Sequence, residues 1–286
     1  MMVGGDLSHV ACRFVNRASV LSDTSQEMGD TQINRDIGAV TSHALTAKDG
    51  MPLRADFYVP AAADATAERG LLVLIHGYCE HRGRYGHVAE HLLKQGYTVL
   101  AGDLRGHGES GGERGFVQRF ADYVDDIDAL RALGLTLDAA FRKTRPPREG
   151  TAPPSLPVLV AHSMGGLVCR AYLRRFGGDR VEALVTMGSP HHGTFHAYMA
   201  NGENGQQMRP GNRWLRELND AVVPVPFTSI YSVHDTVISP QDSSVMPGAD
   251  NVCLSAIGHV SMPGGAQARA QLVQALTRLH AGVAAS

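Results

Sequence analysis

Ser163 has the surroundings in this chain that most favour chemistry. It lies in Ala161-His162-Ser163-Met164-Gly165-Gly166, after the apolar run Val158-Leu159-Val160 and before a helix-like stretch over 167–176. A serine at a sharp strand-to-helix turn has a strained backbone, and its hydroxyl is pushed outward. Small residues two before and two after it, Ala161 and Gly165, let such a turn close. The plainer role for Ser163 is a helix N-cap. A serine hydroxyl is a poor nucleophile until a base takes its proton, and the base needs an acid to hold its tautomer. Nucleophilic chemistry at Ser163 therefore requires a histidine and a carboxylate brought to it by the fold.

The elements that must position them follow from patterning. Residues 41–47 and 53–59 flank Lys48-Asp49-Gly50, a hairpin signal. Residues 71–75 and 97–101 are apolar runs, as expected of strands covered on both faces. A helix is expected over 85–95, ended by Gly96. Tyr123, Ile127, Leu130 and Leu133 recur at helical spacing within 120–137. Residues 145–157 hold five prolines and read as a loop. Strands are expected at 158–161, 183–187, 227–233 and 252–257, with helices at 167–176 and 265–280. Residues 191–226, rich in Gly, Asn and Pro, break the alternation. They are expected to form a small cap over the site, with one helical piece near Trp214–Leu218. Residues 1–38 are polar, weakly periodic and expected to be a flexible tail, which leaves 39–286 as one domain. The alternation implies an α/β class with a mostly parallel sheet and helices on both faces. Ligands of such sheets bind at the carboxyl ends of the strands.

The segment around Ser163 resembles the nucleophile elbow G-x-S-x-G of α/β-hydrolases, with Ala161 in place of the first glycine. That resemblance implies the chain order serine, acid, histidine. Asp179, Glu182 and Asp250 precede strands, and Glu203, Glu217 and Asp220 lie in the expected cap. Asp235 follows the strand over 227–233 and is the expected acid, with Asp242 second; its plainer role is a turn residue. His259 follows the strand over 252–257 and is the expected base. The neighbouring His234 should point away from the site. The oxyanion hole needs two backbone N–H groups. Met164 supplies one and Tyr78, after His76-Gly77, the other, with Cys79 second. Cys79, His162, His191 and His192 are expected to line the substrate pocket.

Further segments carry a closer likeness. The first half is similar to monoglyceride lipases and lysophospholipases, through His76-Gly77-Tyr78-Cys79-Glu80-His81, Arg84-Tyr85, Asp103-Leu104-Arg105-Gly106-His107-Gly108-Glu109-Ser110 and Gly112-Glu113-Arg114-Gly115. Cys79 stands where that family has glycine. From Ser163 onward, Gly188-Ser189-Pro190-His191-His192-Gly193-Thr194 and Tyr231-Ser232-Val233-His234-Asp235 resemble bacterial lipases and esterases. The likeness covers about 41–280. It implies a serine carboxylic-ester hydrolase acting on short- to medium-chain acyl esters or monoacylglycerol, with no cofactor. It also implies that Asp103 and His107, a second acid–histidine pair, are structural. A peptidase or thioesterase of the same fold, or a non-catalytic binding protein, remains the alternative.

Composition narrows the rest. The chain has 286 residues, 43% hydrophobic and 19% charged, with net charge −2. This suits a protein with a large buried core. No lysine/arginine-rich block stands out, which argues against a nucleic-acid partner. The four cysteines, Cys12, Cys79, Cys169 and Cys253, form no C-x-x-C pair. Cys169 and Cys253 are expected to be buried. A reducing, cytoplasmic compartment is the simplest reading. No signal peptide and no membrane span are read, and contact with a lipid surface would be transient. His87-Val88-Ala89-Glu90-His91 matches the zinc-peptidase motif H-x-x-E-H, but no third ligand follows on an obvious helix. No metal is expected there or at His191, His192 and His196.

Overall fold

The computed structural model describes residues 38–61, 69–144, 156–200 and 202–283. Apart from Gly38, the expected tail lies outside them, as does the proline-rich loop up to residue 155. Among the described residues eight strands form one sheet: β1 (Gly38–Thr46), β2 (Pro52–Pro60), β3 (Gly70–Ile75), β4 (Tyr97–Asp103), β5 (Val158–His162), β6 (Ala183–Met187), β7 (Phe227–Ser232) and β8 (Asp250–Leu254). Their spatial order is β1-β2-β4-β3-β5-β6-β7-β8. β2 pairs antiparallel with both β1 and β4, and every other pair is parallel. The β1–β2 hairpin closes where the Ala47 N–H donates to the Met51 carbonyl at 2.8 Å.

That order accounts for the patterning. β3, β4, β5 and β6 are interior, and every residue in them is buried. Helices α1 (Gly86–Leu93) and α6 (Ala266–Val283) cover one face, packing Val88, Leu92, Leu272 and Leu276 on Leu74, Val99 and Val160. Helices α2 (Phe120–Lys143) and α3 (Met164–Phe176) cover the other, packing Ile127, Leu130, Val168 and Tyr172 on Leu71, Leu100 and Leu159. Each such side chain, fully buried, stabilises the fold by roughly 1.5–3 kcal/mol.

Several expectations need correction. α3 begins at Met164 rather than Leu167, because the turn at Ser163 passes straight into the helix. The strand expected over 252–257 is β8 and ends at Leu254; beyond it Ala256 has φ +56°, which a strand does not accommodate. Cys169 is in the core, but Cys253 is exposed. Among the described residues β8 is the outermost strand, and β7 is its one neighbour. The stretch over 191–226 holds a 3-10 turn (Phe195–Met199), α4 (Gly202–Gln207) and α5 (Arg213–Asn219). Only its first part lies over the site. α5 packs away from it, with Trp214 beside Phe120 at 4.5 Å and Leu215 and Leu218 in the α2–α3 face.

Candidate active site

Five adjacent strands deliver the site from their carboxyl ends. Gly77 follows β3, Ser163 follows β5, Gly188 follows β6, Asp235 follows β7 and His259 follows β8. Ser163 has φ 54° and ψ −128°, a conformation L-residues seldom take. Its N–H donates to the Met187 carbonyl at 2.9 Å, which fixes the turn to β6. Its hydroxyl makes no capping bond to α3. The N-cap role is therefore not the one the side chain fills, and the hydroxyl faces His259.

His259 Nε2 lies 3.0 Å from Ser163 Oγ, and His259 Nδ1 lies 2.7 Å from Asp235 Oδ2. The other Asp235 oxygen accepts from the N–H groups of Val237 and Ile238, each at 2.8 Å. An ionised carboxylate only accepts, so His259 carries its proton on Nδ1 and turns the Nε2 lone pair to the serine. Burial raises the Asp235 carboxyl, but His259 and the two N–H groups outweigh it and hold it below its ordinary range. Burial lowers His259; Asp235 opposes that, and His162 adds to it. His259 is thus neutral near neutral pH and in a form that can accept a proton.

Gly77 stands against the serine. A β-carbon on it would lie 2.7 Å from Ser163 Cβ and 3.0 Å from Glu80 Oε2. The Gly77 N–H is taken by Glu80 Oε2 at 2.9 Å, and Tyr78 follows it in the wall of the site. Cys79 follows with φ 56°, the region that favours glycine. Met164 is the first residue of α3, and a helix leaves its first N–H groups without intrahelical partners.

Ser163 and His259 open into a cavity of about 360 Å³. Its wall includes Tyr78, Cys79, Pro190, Ala197, Met199, Met208, Val237 and Ile238. His162, His191 and His192 are not in that wall. His162 is fully buried, with Nδ1 2.8 Å from Glu80 Oε2 and Nε2 3.1 Å from the His259 carbonyl. His191 is also fully buried, between Thr186 Oγ1 at 3.1 Å and Arg170 at 3.4 Å. Burial and the Arg170 charge keep it neutral, well below its ordinary value. His192 turns outward and contacts the Ser243 carbonyl through Nδ1 at 3.1 Å. The histidine of that run which does reach the wall is His196. Sequence reasoning missed Met199, Met208, Val237 and Ile238. The first two lie in a stretch without periodicity. The last two had a signal, since they lie two and three residues after Asp235.

Asp103 and His107 do not pair. Asp103 accepts from the Arg82 N–H at 2.6 Å and the Glu109 N–H at 2.9 Å, whereas His107 Nδ1 donates to the Arg105 carbonyl at 2.9 Å. His87 and His91 lie on α1, with His87 Nε2 against Gly264. Among the described residues no group of three or more His, Cys, Asp or Glu side chains is placed to hold a metal.

An open, mostly parallel sheet with a serine at the elbow and an acid and a histidine on later loops defines an α/β-hydrolase. Residues 66–225, more than half of the chain, match the family described as serine aminopeptidase, S33, and the chain belongs to that family. It is similar to a monoacylglycerol lipase of Mycolicibacterium smegmatis, 32% identical over 60% of this chain and 55% of the relative. It is also similar to phospholipase YtpA of Bacillus subtilis, 33% identical over 40% of this chain and 38% of the relative. The chain thus spans about half or less of the length of these relatives. Among solved structures, the Pyrococcus furiosus esterase Pf2001 superposes with a TM-score of 0.58 at 18% identity, over 91% of this chain and 97% of that one. At that identity the likeness speaks for the fold alone.

Proposed function

We propose that this protein is a serine carboxylic-ester hydrolase acting on short- to medium-chain acyl esters or monoacylglycerol. The observation that carries the reading is the run Ser163–His259–Asp235, at 3.0 and 2.7 Å, opening into a largely apolar cavity. Ser163 attacks the ester carbonyl while His259 takes its proton. The N–H groups of Tyr78 and Met164 hold the oxyanion. His259 then protonates the departing alcohol, and Asp235 stabilises the imidazolium that forms. Water repeats the cycle on the acyl-enzyme and frees the acid.

The family description raises an aminopeptidase as a second reading. A free α-amine needs a carboxylate in the site. Glu80 is the one carboxylate in the wall of the described cavity, and Gly77, Tyr85 and His162 already occupy it. That favours an uncharged acyl group. The rim favours lipid: Met199 is 67% and Val260 55% exposed, and Phe195 and Tyr198 are exposed on the same 3-10 turn as Met199. Such a rim suits transient contact with a lipid surface. No described helix is long and apolar enough to cross a membrane. Hydrolysis of p-nitrophenyl esters from acetate to palmitate, beside monoacylglycerols and aminoacyl p-nitroanilides, tests the reading. Ester turnover is expected. Turnover of the anilides alone would overturn it in favour of the peptidase.

A further inference from the structure

Glu80 and His162 form a second acid–histidine pair immediately behind the first. Glu80 Oε2 receives three donors, the Gly77 N–H at 2.9 Å, the Tyr85 hydroxyl at 2.9 Å and His162 Nδ1 at 2.8 Å. That oxygen has no room for a proton of its own. The other oxygen faces Arg84 Nε at 3.7 Å, a cation. Glu80 is therefore an ionised carboxylate and only accepts. Burial alone would raise its carboxyl, but the charge and bond of His162, with the bonds from Gly77 and Tyr85, hold it far below the carboxylate range.

The other ring nitrogen of His162 meets the backbone carbonyl of His259 at 3.1 Å. A carbonyl also only accepts. Both nitrogens of one imidazole thus face acceptors, which a neutral tautomer cannot satisfy. We infer that His162 is a buried imidazolium, and that it acts as a positioning residue joining the oxyanion loop to the loop that carries the base. Its ring lies 4.6 Å from the His259 ring, tilted by 38°. The charged groups facing His259 are then Asp235 on one side and the Glu80–His162 ion pair on the other. The positive neighbour opposes Asp235 and disfavours protonation of resting His259, consistent with the low value of that base. One carboxylate thereby holds the Gly77 turn, and through His162 it also holds the backbone of the base.

The effect on the base rests on the proposed triad; the charge of His162 does not. Two measurements separate them. The first is long-range nitrogen–proton NMR of histidine-labelled wild-type protein at pH 8, with His162 assigned through its link to the Ser163 amide. Two protonated ring nitrogens are expected at His162 and one at His259. A single protonated nitrogen at His162 overturns the proposal, whether or not the protein turns over any ester. The second is the pH profile of kcat/KM for p-nitrophenyl acetate in H162Q. With the positive charge gone, the acid limb is expected to move to higher pH. A lower plateau with the limb in its wild-type place would show a purely structural residue and overturn the electrostatic role. If H162Q does not fold, the wild-type spectrum still decides the charge.

Discussion

Gly77 and Ser163 touch so closely that the glycine has no room for a side chain: an added β-carbon would sit 2.7 Å from the serine β-carbon. The neighbour is a backbone-anchored atom at a strained turn, so it cannot step aside cheaply. Gly77→Ala should displace the oxyanion loop and lower kcat for p-nitrophenyl esters by about 10²-fold or more, the scale on which a lost oxyanion donor is felt. KM should change much less. Equal kcat in the variant would show that this loop does not hold the oxyanion.

Ser163→Ala removes the hydroxyl that His259 faces. Ester turnover should fall by about 10³-fold or more, with melting temperature within a few degrees of wild type. Labelling by a fluorophosphonate should disappear with it. A variant that keeps more than about a thousandth of the activity would move the nucleophile elsewhere.

The active form of His259 is neutral, and burial with the nearby His162 holds its value below 6.5. Activity is lost as the base gains a proton, so the acid limb of kcat/KM should lie below pH 6.5, leaving a plateau through neutrality. A limb above that value would mean that Asp235 outweighs burial. The profile in a soluble acetate ester measures it directly.

Stability should fall with acid in two stages. Burial pushes His107 down to about 3, so between 6.5 and that value the unfolded chain binds a proton that the folded one refuses. His191 acts in the same direction. Glu80 is depressed from 4.5, so the stability it contributes is complete above that value and is lost as pH falls below it. Urea midpoints should decline from pH 7 to 5 and more steeply below 4.5. A midpoint flat from pH 7 to 4 would contradict both.

Phe195 and Tyr198 are exposed beside the cavity without forming its wall. Replacing both with serine should leave p-nitrophenyl acetate turnover unchanged and reduce hydrolysis of micellar monoacylglycerol several-fold. An equal loss on both substrates would assign the pair to folding rather than to the lipid surface.

The sheet was legible because interior strands are short apolar runs; 71–75 and 183–187 could be little else. The approach of Ser163, Asp235 and His259 was legible for a related reason, since each follows such a run at the same edge. The pocket wall was not. His162 and His191 are expected there because they adjoin functional loops, but His162 ends β5, where alternate residues point to opposite sides, and turns inward, while His191 lies in the turn after β6 and is buried against Arg170 and Thr186. Cys253 looked buried because its neighbours are apolar, and nothing local marks a strand as outermost. The family match ends at residue 225, before either Asp235 or His259, so the comparison speaks for the half of the chain that carries the serine.

Among the described residues β8 pairs with β7 alone, yet the loop after it carries His259. The serine, by contrast, hangs from β5, which is hydrogen-bonded on both sides. Ser163 and His259 are therefore anchored with unequal strength. An outermost strand is where a sheet begins to open, and local opening needs less free energy than global unfolding. On heating, the enzyme should fall silent while most of its helix signal is still intact, because the histidine drifts away before the serine is disturbed.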